Sequence, residues 1–188
     1  MPLSVIFRTP GLLIVLLSSS LCLTTNDLMT VFFPVLGAAR GIDAATVGLL
    51  LSLRAISSML SRLAFSRLTA RLGKIPVMVA SLVVTAIATG LLVLDIPVWV
   101  MAPALAISGF AMGLAIACSL SLTLAMAPAG GKATAMSLRL TISRFGQFIV
   151  PLGAGATASV LGPGSIFALM GLGLCACGAL VGKLPRDT

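Results

Sequence analysis

Ionisable side chains are scarce in this 188-residue chain, and several fall deep inside apolar runs. Asp27, preceded by Asn26, lies about two-thirds along the first run, and Arg54 sits some eight residues into the second. Arg144 falls near the middle of the fifth, with Gln147 one turn beyond and Arg139 a turn and a half before. At a helical rise of about 1.5 Å per residue, Asp27, Arg54 and Arg144 come within a few ångströms of one depth. A charge in a hydrocarbon layer costs on the order of 3 kcal/mol unless it is paired or hydrated. Three charges at one level therefore predict a shared, water-accessible cavity, and its chemistry would be binding of an ion or polar solute. Asp27 is either a proton site or the counter-ion of Arg54 or Arg144. Two polar stripes extend the pattern: Arg54, Ser57, Ser58, Ser61 and Arg62, and Ser137, Thr141, Arg144 and Gln147. At helical spacing each stripe occupies one face, where it either lines a path or lets helices pack closely.

The residues that are missing narrow the chemistry. Histidine and tyrosine are absent, which removes Ser-His and Cys-His nucleophilic catalysis and histidine-bound zinc. Lys74, Lys132 and Lys183 fall at the ends of apolar runs, a poor setting for a Ser-Lys dyad. Cys22, Cys118, Cys175 and Cys177 lie in apolar runs without a CxxC spacing and read as small buried hydrophobes. We expect no enzyme, no metal and no cofactor.

The elements that must position these residues follow from composition. The chain is 59% hydrophobic and 9% charged, with mean hydropathy +1.21, far from the roughly one-quarter charged composition of soluble domains. Six segments are long and apolar enough for spanning helices: 11–33, 46–66, 75–94, 98–127, 134–159 and 163–183. They predict a single all-α membrane domain over 1–188, with Pro151 kinking the fifth helix. Gly or Pro stands in each connection, where a helix must stop. The first segment carries Asn26, Asp27 and Pro34 rather than a small-residue cleavage site, and reads as a mature helix.

The net charge of +8 would suggest nucleic acid in a soluble protein, but here most positive residues sit in short connections. Arg8, Arg67, Arg71, Lys74, Lys132, Lys183 and Arg186 fall on one side; Arg40, Asp43 and Asp95 fall on the other. The asymmetry predicts both termini in the cytoplasm of a multi-pass protein of the cell membrane, with Trp99 as an outer interfacial anchor. The lipid bilayer is the expected partner, and nucleic acid is not.

Segments 1–3 and 4–6 cover similar lengths, and Ser52-Leu-Arg54 matches Ser137-Leu-Arg139 at corresponding places in oppositely directed helices. That is the signature of a three-plus-three inverted repeat. The connection after segment 2 adds Arg71, Gly73 and Lys74, which resemble the G-x-x-x-D-R-x-G-R-R loop of the major facilitator superfamily. Ser66 and Ala70 replace the motif's first Gly and its Asp. Segment 5 and the Gly41–Gly48 entry to segment 2 are similar to the family as well, and the likeness is best to a C-terminal six-helix half. The resemblance implies secondary transport of a small solute. The excess of core arginines favours an anionic or zwitterionic one, and Asp27, if it takes up a proton, makes the coupling ion H⁺. It also implies a second six-helix unit, through homodimerisation or a separate chain. A truncated or scaffold protein that moves nothing is the alternative. The expected pathway residues are Asn26, Asp27, Arg54, Ser58, Arg144 and Gln147.

Overall fold

The computed structural model describes residues 11–128, 130–161 and 164–183, excluding the side chains of 156 and 158–161. Arg8 and Arg186, both assigned above to the basic side, lie outside the described residues. Among the described residues there are six helices: α1 (Leu12–Ala39), α2 (Ala44–Leu72), α3 (Lys74–Leu91), α4 (Val98–Met126), α5 (Lys132–Leu161) and α6 (Gly164–Val181). Five of them are long and apolar enough to cross a membrane. α5, which carries Lys132, Arg139, Arg144 and Gln147, is not one of the five among the described residues.

The helices outrun several of the apolar segments. α1 continues through Pro34 to Ala39, and Gly37 belongs to the helix, where a Cβ would meet Val47 of α2. α2 continues through Arg67 and Arg71 to Leu72, so these arginines occupy helical turns rather than a loop. The connection that remains is Gly73 alone. Its φ of 84° and ψ of 159° lie where essentially only glycine is unstrained. Asp43 caps α2 by accepting from the Ala45 N–H at 3.0 Å. α5 runs unbroken through Pro151, which cannot donate to the Gln147 carbonyl one turn back.

Two apolar clusters divide the bundle along its length. One joins Val15 and Cys22 of α1 to Met78 and Leu82 of α3, Cys118 and Leu122 of α4 and Leu174 of α6. The other joins Met29 and Phe33 of α1 to Val47 and Leu50 of α2, Met101 and Leu105 of α4 and Phe167 of α6. The first half of α1 thus lies with the second half of α4, so sequential helices alternate in direction. α2 packs chiefly on α4, α5 chiefly on α1, and α3 bridges α4 and α6.

Arg40 clamps the end where α1 meets α2. Its Nε lies 2.8 Å from Asp95, and its Nη2 donates to the Leu92 and Val93 carbonyls at 2.9 and 3.2 Å. The guanidinium thus satisfies carbonyls left open at the C-terminus of α3. Among the described residues this is the only ion pair. Burial corrects one sequence expectation. Cys22 and Cys118 are buried, but Cys175 is exposed and Cys177 only half-buried, with its Sγ 3.4 Å from the Ser18 hydroxyl. Residues two apart on a helix point to different sides, and α6 leaves one exposed and the other half-buried.

Candidate functional site

Asn26 and Asp27 occupy the gap between the two apolar clusters, after Cys22 and before Leu28. Neighbours on a helix diverge by about 100°, so the two side chains leave α1 toward different partners. Asn26 reaches α2, where its Oδ1 accepts from Arg54 Nη2 at 3.0 Å. Asp27 reaches α5, where its Oδ2 accepts from Gln147 Nε2 at 2.6 Å. Gln147 in turn accepts, through Oε1, from Arg144 Nη1 at 3.1 Å. One dipeptide therefore ties α2 and α5 into a single polar layer across the bundle.

Arg54 is 7% exposed and makes that one side-chain hydrogen bond, while its Nε is buried without a partner. It sits there because α4 has no side chain in the way. A Cβ on Gly109 would overlap the Arg54 carbonyl and crowd its Cγ, and one on Gly113 would overlap the Ser61 hydroxyl and crowd Ser58. The GxxxG of α4 is the seat of α2 at this layer, a use of small residues common between apolar helices. Gly146 plays the same part for α1, where a Cβ would press on Ser20 and Thr24.

The expected residues thus separate into three groups. Asn26 with Arg54, and Asp27 with Gln147 and Arg144, come together. Asp27 touches neither arginine directly, since a neutral amide stands between it and Arg144. Ser58 lies half-buried one turn from Arg54, against Gly113. Arg144 is exposed, beside the exposed Phe145 and Phe148 of α5. Arg71, Gly73 and Lys74 cluster at the α2–α3 junction, well away from the layer: Arg71 is exposed in the last turn of α2, and Lys74 is half-buried at the start of α3.

Sequence spacing did not single out Arg139. It is 6% exposed, its Nη2 donates to Ser119 Oγ of α4 at 3.3 Å, and its Nε is buried and unpartnered. The tripeptide match with Arg54 was the available signal.

The polar layer thus lies within a bundle of alternating apolar helices. The family model of the Major Facilitator Superfamily matches residues 14–188, which spans all six helices. The chain belongs to the Major Facilitator Superfamily. Comparison with curated proteins returned no match. Superfamily members are transporters that move small solutes across membranes, and this chain is a multi-pass integral membrane protein of that kind.

Proposed function

We propose that this chain is one six-helix unit of a secondary transporter, and that Asn26, Asp27, Arg54, Arg144 and Gln147 line its solute path. The observation that carries the reading is the placement of Arg144. It is exposed, yet bound through Gln147 to Asp27 at mid-bundle. A guanidinium at that depth is too costly to face hydrocarbon. The face of α5 that bears it is therefore a cavity wall, and the opposite wall belongs to a second six-helix unit. A homodimer or a separate partner chain supplies that unit.

The helix contacts support a three-plus-three inverted repeat. Matching α1–α3 to α4–α6 pairs the α2–α4 packing with α5–α1, and α3–α4 with α6–α1. Two apolar crevices follow the same operation: one of about 390 Å³ between α1, α5 and α6, the other of about 610 Å³ between α4, α2 and α3. On this arrangement α5 is the sixth span, and the basic end with Arg67, Arg71, Lys74 and Lys132 faces the cytoplasm. At about 1.5 Å per residue its 30 residues reach about 45 Å, ample for a bilayer.

Solute binding falls to the guanidinium of Arg54, whose free Nε suits a carboxylate or another anionic group of a small solute. Proton coupling falls to Asp27. Gln147 links the Asp27 carboxyl group to Arg144. The test is uptake by the purified chain in proteoliposomes with an inward proton gradient, over a panel of small carboxylates and zwitterions. Gradient-dependent uptake of one solute class is the expected result. No uptake of any member by the full chain in sealed vesicles would overturn the reading.

A further inference from the structure

The second buried arginine lies at a different level from the central layer. Arg139 is seven residues into α5 from Lys132, about 10 Å from the basic end. Like Arg54 it is buried, at 6% exposure, and no carboxylate pairs with it among the described residues. Its one recorded hydrogen bond is long, 3.3 Å, and goes to a neutral hydroxyl, Ser119 Oγ. That hydroxyl lies 2.8 Å from the Ile116 carbonyl, to which it donates, and 3.4 Å from Ser19 Oγ of α1. One turn along α5, the hydroxyl of Ser143 is buried and unpartnered as well.

Nε and Nη2 form one edge of the guanidinium, the fork that takes both oxygens of a carboxylate. In Arg139 that edge is half used: Nη2 rests on Ser119, and Nε has nothing. Arg54 shows the same half-used edge, with Asn26 in place of Ser119. Buried polar groups in folded proteins are nearly always paired, and a buried charge without a counter-charge is costlier still. An anion at Arg139 removes both deficits. It supplies the missing charge, fills the free Nε and gives the Ser143 hydroxyl an acceptor.

We propose that Arg139, with Ser119 and Ser143, forms an anion-binding site for a compact carboxylate, separate from the Asn26–Arg54 layer and nearer the basic end. The site deepens the transport reading by giving an anionic solute a second station, but it is tested by binding alone. Its failure is therefore distinguishable from a failure of transport.

The experiment is thermal unfolding of the full purified chain in detergent, titrated with acetate against gluconate at constant ionic strength. The expected result is a saturable rise in the unfolding midpoint with acetate. Its half-maximal concentration should increase about tenfold in Arg139→Gln, the worth of one charge-assisted hydrogen bond. Arg139→Lys should restore part of the response, because a lysine retains charge without the fork. Ser119→Ala and Ser143→Ala should each weaken it severalfold. No acetate response in the wild type would overturn the proposal, as would a response in Arg139→Gln equal to that of the wild type. If Arg139→Gln fails to fold, wild-type responses in both serine variants would overturn it instead.

Discussion

Between Asp27 and Arg144 stands a neutral amide, so the two charges communicate without cancelling. This bears on how each residue should fail. Asp27→Asn keeps an oxygen that accepts from Gln147 but removes the ionisable group. It should leave folding intact and reduce gradient-driven uptake by about tenfold or more, while exchange of internal for external solute persists; the comparison of the two assays checks this. Gln147→Leu removes the amide and leaves the carboxylate of Asp27 without its recorded donor, at a cost of about 1–3 kcal/mol. The unfolding midpoint in detergent should fall by a few degrees for each kcal/mol lost, and Asp27→Asn in the same background should recover much of the loss. At this scale it was legible in the sequence that these residues come near one level of the bundle, since helical rise is nearly constant. Rotation about the helix was not. Arg139 and Arg144 are five residues apart, hence about 140° apart in direction, and only the packing of α5 on α1 decides which is buried. It buries Arg139 and exposes Arg144.

Helix placement depends on glycines whose neighbours come from distant sequence. Six helices fall where six apolar segments predicted them, because length and hydropathy are local properties. Of these, α1, α2 and α5 run beyond the apolar segments, α2 because Arg67 and Arg71 are good helix formers that only Gly73 interrupts. Gly109 and Gly113 stand at a GxxxG spacing, but nothing local in the sequence joins α4 to Arg54 and Ser58. Gly109→Leu should therefore push α2 off its seat and cost about 1–3 kcal/mol or more, by thermal unfolding. Gly48→Ala meets open space on α2 and should be neutral or stabilising in the same measurement. Gly73→Ala forces a side chain into a glycine-only backbone region and should cost about 1–3 kcal/mol.

Across the whole molecule, the exposed apolar residues of α2 and α5, among them Leu53, Ile56, Leu60, Phe145 and Phe148, leave two broad faces for lipid or for a second unit. The charge asymmetry between the ends predicts orientation. A cysteine replacing exposed Arg71 should label only from the cytoplasmic side of intact cells, and one replacing exposed Trp99 only from outside. Labelling of both from one side would contradict the alternating topology. The central claim is that the layer built by Asn26, Arg54, Asp27 and Gln147 carries the solute, and Arg54 is its most direct probe. The measurement is solute uptake into proteoliposomes by wild-type and Arg54→Ala protein, compared at equal amounts of inserted protein. The account predicts uptake by the wild type and background counts for Arg54→Ala; equal uptake by the two proteins would contradict it.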